Sequence, residues 1–358
     1  MRFLLAGGGT AGHVNPLLAL AEALRADGHE AFALGTKEGL EQRLVPQRGF
    51  ELLTVPRLPL PRKLSFALPL FPFRLLAASW RVRRVIKQRK VDAVVGFGGY
   101  ASAPAYLGAK LAGVPIVVHE ANAKSGFANR LGAKLGASVG VAFANSDIAP
   151  ATLVGLPLRS EVVASVAVYD RQQARVELGL DPMLPTLLVT GGSLGARSIN
   201  LAVVAALGDL LRAGIQVLHI VGEKAELEPR DEPGYLRLAY CDRMDAAIAA
   251  SDFAISRAGA STVSEFTACG LPAAYVPYPV GNGEQRFNAI SSVEAGAAIL
   301  CADADFNADF IRSRVIPLVS HQKSLNQMSA AALSISIADG TERLKQMVLA
   351  AVDTSSRD

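Results

Sequence analysis

Two stretches of the chain share one grammar, and that grammar limits the fold more than any other feature. FLLAGGGTAGH (residues 3–13) and LLVTGGSLGARSIN (residues 187–200) each run a short apolar segment into a glycine-rich turn and then into a helical pattern. Apolar runs this short, bounded by turn residues, read as buried strands. A strand followed by a helix that must return to a neighbouring strand builds a parallel sheet. The alternation continues through FLLA, AFALG, LLTV, DAVVGFGG and PIVVHE, separated by segments such as NPLLALAEALRADG, which sets Leu17, Leu20, Ala21 and Leu24 on one helical face. It restarts after residue 185 with TLLVT, IQVLHIVG, YLRLAY, FAISRAG and PAAYVPYP. The expectation is an α/β protein made of two Rossmann-like domains with parallel sheets, facing each other across a cleft.

Length agrees, because 358 residues exceed the ~250–300 at which single cores stop growing. GLPLRSEV (155–162) has no strong periodicity and marks the linker, which gives domains 1–158 and 159–338. The terminal helix, about 339–353, carries Leu344, Met347, Val348 and Ala351 on one face and can pack back on either domain. With 51% apolar and 19% charged residues the chain has ample core and no disorder signature. Cys241, Cys269 and Cys301 are odd in number, far apart and without a CxxC pair, which points to a reducing compartment rather than to disulfides or zinc. Neither a signal-peptide core nor a ~20-residue apolar span is present; the long uncharged runs 93–109 and 266–283 are broken by glycine and proline.

Glycines at a strand-to-helix turn permit positive φ and let backbone N–H groups approach an anion that the helix N-terminus also attracts. Three such loops occur: Gly7-Gly8-Gly9, Gly98-Gly99 and Gly191-Gly192. One alone is an ordinary tight turn; three in the same register imply a phosphorylated ligand. Gly7, Gly9 and Gly12 also spell the dinucleotide fingerprint, but AFALGT lacks the ribose-binding acid expected ~20 residues on. Gly191 to Gly195 spell GxSxG, the hydrolase elbow, which needs a later histidine. His219 lies in a strand-like run and reads as core; His321 lies at a polar helix start. DAD at 303–305 is a common three-residue string in a polar loop, and no metal is assigned to it.

With the stretch SRAGASTVSEFTACGLPAAYVPYP added, the chain resembles the MurG family of GT-B glycosyltransferases over nearly its whole length. The resemblance implies transfer of N-acetylglucosamine from UDP-GlcNAc to the C4 hydroxyl of the muramoyl sugar of lipid I, the undecaprenyl-diphosphate-linked pentapeptide precursor. The product is lipid II, for peptidoglycan. It implies inversion at the anomeric carbon, no cofactor and no essential metal. GGTAGH (8–13) is similar to the family's GGTGGH, with Ala11 in place of a glycine, and GGYASAP (98–104) and GGSLGA (191–196) match two further loops. Gly8, Gly9, Gly98, Gly99 and Tyr100 are thereby implied to hold the acceptor diphosphate, and Thr10, Ala11 and Gly12 to approach the donor.

HEANAKSG carries a donor-contacting asparagine onto Asn122, and GLPLR carries an arginine onto Arg159. AGASTVSE implies that the backbone of Ala260, Ser261, Thr262 and Val263 faces the donor diphosphate, that Ser264 also belongs to the UDP-GlcNAc site, and that Glu265 takes the ribose hydroxyls; without the family match, Glu265 reads as a solvated helix residue. NGEQRFNA puts Gln285 on the sugar, with Glu284 where the family has another glutamine, and YCDRM puts the backbone of Cys241 over uracil. Ser193 and Arg159 are implied to stabilise the departing diphosphate with loop N–H groups and the helix beginning near Ala260. The base is His13, because histidine is the side chain suited to proton transfer at neutral pH, or Glu120 beside His119; the other reading of His13 is a phosphate-positioning group.

Between Glu51 and Asp92 there is no acidic residue, while Arg57, Arg62, Lys63, Arg74, Arg81, Arg83, Arg84, Lys87, Arg89 and Lys90 alternate with Leu64, Phe66, Leu68, Leu70, Phe71, Phe73 and Trp80. Apolar anchors among cations suit an anionic inner-leaflet membrane surface, each cation contributing about 1 kcal/mol. The apolar side chains cluster between prolines instead of forming stacking platforms, which argues against nucleic acid. The expected location is peripheral, on the cytoplasmic side of the cell membrane, among cell-wall synthesis proteins that serve cell shape and division. The alternative within the fold is a UDP-GlcNAc epimerase or a soluble-acceptor glycosyltransferase.

Overall fold

The computed structural model describes residues 1–59, 67–159, 162, 170–192, 195–228, 230–280 and 282–355, the backbone alone at 67–69 and 355. The chain divides into two compact units, residues 1–159 with 339–358, and residues 160–338.

Unit 1 is built on β1 (Arg2–Ala6), β2 (Glu30–Gly35), β3 (Glu51–Thr54), β4 (Ala93–Gly96), β5 (Ile116–Glu120), β6 (Ser138–Val141) and β7 (Thr152–Leu153). They form one sheet in the order β3-β2-β1-β4-β5-β6-β7, parallel throughout. Its connections include helices α1 (Ala11–Ala26), α2 (Glu41–Gln47), α3 (Ala67–Arg89), α4 (Ser102–Ala112) and α5 (Phe127–Lys134). A parallel sheet covered on both sides needs strands that are apolar on both faces. In β1, Phe3 and Leu5 join one core with Val14 and Leu17, while Leu4 and Ala6 join another with Val82, Ile86 and Tyr106.

Unit 2 repeats the scheme with β8 (Thr186–Thr190), β9 (Gln216–Ile220), β10 (Tyr235–Leu238), β11 (Phe253–Ser256), β12 (Ala273–Tyr275) and β13 (Ala298–Leu300), ordered β10-β9-β8-β11-β12-β13. Its helices are α6 (Arg171–Glu177), α7 (Arg197–Arg212), α8 (Met244–Ala249), α9 (Ala260–Ala268), α10 (Glu284–Glu294), and, after short helical turns over 308–319, α11 (Gln322–Ser334). The chain then returns to unit 1 as α12 (Gly340–Ser355), whose Leu344 and Val348 are fully buried beside Phe3, Val14 and Leu17. Truncating Leu344 to alanine there costs roughly 2–5 kcal/mol.

In both units the strand order reverses beside the first strand, at β1/β4 and at β8/β11. Helices leave in opposite directions at such a point and open a crevice at the carboxyl ends of the strands. The glycine loops lie there. Three strands escape the pattern of apolar runs: β6 is SVGV, β7 is the dipeptide TL, and β13 is AIL.

Candidate functional site

Each glycine of the first loop is required for a different reason. A Cβ on Gly7 would lie 3.2 Å from Leu17 Cδ1 and from Phe97 Cβ, and one on Gly8 would lie 2.4 Å from a carboxylate oxygen of Glu41. Gly9 has φ of +88°, a conformation that costs other L residues about 1–2 kcal/mol. Glu41, the first residue of α2, is 1% exposed. Its Oε2 accepts from the Gly9 N–H (2.8 Å), and its Oε1 from the Thr36 N–H (2.8 Å) and hydroxyl (2.9 Å). Burial alone raises its pKa, but hydrogen bonds from Gly9, Thr36 and its own backbone outweigh burial and hold it below the ordinary carboxyl value. Glu41 is therefore a buried carboxylate.

His13 lies in the first turn of α1, after the N-cap residue Thr10. Its Nδ1 is 3.1 Å from the Gly8 carbonyl and 3.4 Å from Thr10 Oγ1. A carbonyl only accepts, so Nδ1 carries the proton and the Nε2 lone pair is left for another partner. Ala11 and Gly12 open the helix, and the first N–H groups of any helix have no intrahelical acceptor.

The second glycine loop, after β4, closes on the first. The Phe97 N–H donates to Ala6 O (2.8 Å), and Ser102 Oγ accepts from the Gly98 N–H (3.0 Å) while lying 3.0 Å from Ala6 O. A Cβ on Gly98 would sit 3.0 Å from His13 Nε2, and one on Gly99 only 2.5 Å from the Gly8 carbonyl oxygen. Glycine is needed at both positions for the loops to meet. Tyr100 is half-buried under the Arg57 guanidinium, 4.8 Å from its ring centre.

At the end of β5, Glu120 is 3% exposed and both of its oxygens are occupied. Oε1 accepts from the Asn122 N–H (2.9 Å); Oε2 accepts from the Gly126 N–H (3.0 Å) and Asn129 Nδ2 (2.9 Å). Asn129 in turn accepts from the Tyr106 hydroxyl at 2.7 Å, and burial raises the Tyr106 pKa and keeps that proton in place. The geometry makes Glu120 the brace of the loop that carries Asn122. Neighbouring His119 is fully buried, its Nε2 donating to Gly155 O at 2.9 Å, and burial pushes its pKa down to about 4. Arg159 is half-buried at the last position of the first segment of unit 1.

In unit 2, α9 begins after the N-cap Gly259, with Ala260 and Val263 buried and Ser261, Thr262 and Ser264 half-buried. The buried Ser261 Oγ has no hydrogen-bond partner among the described residues. Glu265 is 8% exposed, so it is not a solvated helix residue. Gln285 opens α10 beside Glu284, and its Oε1 accepts from the Tyr278 N–H at 2.9 Å, which leaves its amide N–H groups for donation. Cys241 is buried after β10. Ser193 lies outside the described residues. Asp303 of the DAD string is held by Arg257 Nη1 (2.5 Å) and Ser198 Oγ (2.7 Å). Arg257 also donates to Val276 O (3.0 Å), which ties the ends of β11 and β12 to the loop after β13. His219 is a core residue between the Tyr235 hydroxyl and Asn200 Oδ1, and His321 caps α11.

Sequence reading missed Glu41, Asn129 and Arg257. Glu41 and Arg257 act on loops far from them in sequence, and Asn129 acts across a turn on Glu120, nine residues before it; the available signal for Glu41 was glycine at 35 and 39, where a Cβ would again meet its side chain.

Helix α3 turns Ala78, Val82 and Ile86 into the core. Leu70, Phe73, Leu76 and Trp80 are exposed, Phe73 by 71%, among exposed Arg74, Arg81, Arg84 and Lys87. Arg62, Lys63, Leu64 and Phe66 lie outside the described residues. Because α3 connects parallel strands, its N-terminal half lies at the carboxyl end of the sheet, the end that carries the glycine loops. Among the described residues, no helix is long and apolar enough to cross a membrane.

Two family models match the chain: the glycosyltransferase family 28 N-terminal domain over residues 3–141 and its C-terminal domain over residues 186–344. A UDP-N-acetylglucosamine–N-acetylmuramyl-(pentapeptide) pyrophosphoryl-undecaprenol N-acetylglucosamine transferase of Clavibacter sepedonicus is 53% identical, over 98% of this chain and 96% of its own. The protein of the same name from Streptomyces coelicolor is 47% identical over all of both chains. Among solved structures, Acinetobacter baumannii MurG superposes with a TM-score of 0.79 at 27% identity, over 98% of this chain and 99% of that one. A UDP-N-acetylglucosamine 2-epimerase from Listeria monocytogenes shares the fold at 14% identity and a TM-score of 0.66.

Proposed function

The chain belongs to glycosyltransferase family 28, and on that premise we propose that it moves N-acetylglucosamine from UDP-GlcNAc to the C4 hydroxyl of lipid I, giving lipid II for peptidoglycan. The observation that carries this reading is identity of 45–53% to enzymes of that activity along essentially the whole chain. An epimerase of the same fold is related at 14% only.

The donor belongs to unit 2. Its diphosphate is held by the first N–H groups of α9 and by Ser261, its ribose by Glu265, its uracil by the loop of Cys241 and its sugar by the amide of Gln285. The acceptor belongs to unit 1. Its diphosphate is held by the first loop at Gly8 and by the second loop at Gly98, Gly99 and Tyr100, while Thr10, Ala11 and Gly12 approach the donor; the Gly9 N–H is committed to Glu41. His13 Nε2 takes the proton of the acceptor hydroxyl as its oxygen attacks the anomeric carbon. The bond from that carbon to the UDP oxygen breaks and its electrons leave on the diphosphate. Arg159 and Ser193 stabilise that charge. Glu120, with both oxygens occupied, positions Asn122 and is not the base.

The lipid acceptor also accounts for α3. Exposed Leu70, Phe73, Leu76 and Trp80 enter the anionic cytoplasmic leaflet, and the surrounding cations hold the protein there as a peripheral enzyme. The test is UDP release from UDP-GlcNAc with and without a short-chain lipid I analogue, EDTA present throughout. Acceptor-dependent release that His13→Ala cuts about a hundredfold or more, to a small residual rate, and that Glu120→Gln largely retains supports the reading. No release with intact acceptor, or equal release without it, overturns it.

A further inference from the structure

The peptide unit between Gly8 and Gly9 is gripped at both ends. Its N–H, on Gly9, donates to Glu41 Oε2 at 2.8 Å, and its C=O, on Gly8, lies 3.1 Å from His13 Nδ1. In a trans peptide these two groups point in opposite directions. One amide plane therefore joins the buried carboxylate to the imidazole, in the order carboxylate, N–H, C=O, Nδ1–H.

We propose that Glu41 is the positioning residue of His13, acting through the Gly8–Gly9 peptide as the acid of a dyad whose two members never touch. This rests on the reading of His13 as the base. Two glycines flank the peptide, so the chain itself does little to fix its plane. A flipped plane would turn the Gly9 N–H toward His13 and favour the tautomer with its proton on Nε2, which cannot accept from the acceptor hydroxyl. The charge on Glu41 prevents that flip, because it demands an N–H donor. Hydrogen bonds in series polarise one another, so the carboxylate also makes the Gly8 oxygen a stronger acceptor and Nε2 a stronger base.

The surroundings fit this role. The anchoring is redundant on the far side, where the Thr36 N–H and hydroxyl both hold Oε1. Space is reserved for the carboxylate, since a Cβ on Gly8, Gly35 or Gly39 would lie 1.9–2.4 Å from Glu41 atoms. The Gly8 oxygen is also shut in by Gly99, whose missing Cβ would lie 2.5 Å from it. Glu41 approaches no substrate-facing surface, and the structure provides it with no other task beyond supporting the loop.

A purely structural prop and a positioning residue differ in what they couple to. In Glu41→Gln the amide keeps shape and volume but loses the charge, and one of its ends now presents donors to an N–H. The expected result is a kcat about tenfold lower, the cost of one charge-assisted hydrogen bond, with KM for UDP-GlcNAc little changed because Ser261, Glu265 and Gln285, which hold the donor's diphosphate, ribose and sugar, lie in unit 2. In a His13→Ala background the same substitution leaves the residual rate unchanged. The 15N spectrum of the imidazole ring in the unmodified protein, assigned by its loss in His13→Ala, shows the proton on Nδ1.

An equal loss of rate from Glu41→Gln with and without His13 overturns the proposal while leaving His13 as base. A proton on Nε2 of the native ring overturns it even if Glu41→Gln does not fold. Full activity of His13→Ala removes the underlying reading, and the proposal with it.

Discussion

Gly98→Ala tests the packing of the two glycine loops, because its effect divides into two parts with separate readouts. Gly98 has φ of +97°, which an L side chain adopts at a cost of about 1–2 kcal/mol. Its new Cβ would lie 3.0 Å from His13 Nε2. Comfortable contact begins near ~3.5 Å, so the ring must retreat by roughly half an ångström. If a misplacement of about 1 Å costs on the order of a hundredfold, this one costs about tenfold in kcat. Gly113→Ala supplies the control: φ is +75° and nothing lies within 4 Å of its Cβ, at the far end of α4. It carries similar backbone strain without the contact. Calorimetry and acceptor-dependent UDP release on both variants separate the parts. Both should melt a few degrees low, as a loss of about 1 kcal/mol implies, and only Gly98→Ala should turn over slowly. Equal kcat in the two variants would refute the placement of His13 against the second loop.

Three further outcomes follow. His119 and His219 are buried neutral, each with its pKa pushed down to about 4 by burial. The unfolded chain takes up protons first as pH falls below ~6.5, so stability present at pH 7.5 is lost toward pH 4, by about 2 kcal/mol for each histidine at pH 5. Denaturant titrations at pH 7.5 and 5 check this, and a variant such as His219→Gln should show a correspondingly smaller difference. Replacing both Phe73 and Trp80 by serine should weaken binding to vesicles containing anionic lipid at least tenfold while leaving UDP-GlcNAc affinity unchanged; unchanged sedimentation with vesicles would exclude α3 as the membrane face. Asp303→Asn should raise KM for UDP-GlcNAc several-fold, because Arg257 then loses the charge that fixes it beside α9; an unaltered KM would show that this ion pair serves stability alone.

Much of the fold was legible because its signal is local. Apolar runs of four or five residues between turn residues gave β1 to β5 and β8 to β12, since a strand buried on both faces has to be apolar at every position. The strands that escaped are those where length or glycine dilutes this signal: SVGV at β6, the dipeptide TL at β7 and AIL at β13. Their place is set by the neighbouring strand and not by their own composition. The helical face of 344–351 was equally visible, but nothing in its periodicity tells which core it covers; Leu344 and Val348 go into unit 1 because a complementary hollow exists beside α1.

The chemistry divides the same way. Sequence alone located the glycine turns between a strand and a helix N-terminus, because that arrangement is local and is suited to an anion. Only the tertiary structure decided what the side chains do there. The Glu41 carboxylate lies 32 residues from the Gly9 amide it fixes, His13 meets a glycine of another loop, and both oxygens of Glu120 are taken up by partners that follow it. Such placements depend on distance and on burial, which make a carboxylate the brace of a loop or aim an imidazole's free nitrogen, and neither quantity exists until the chain is packed.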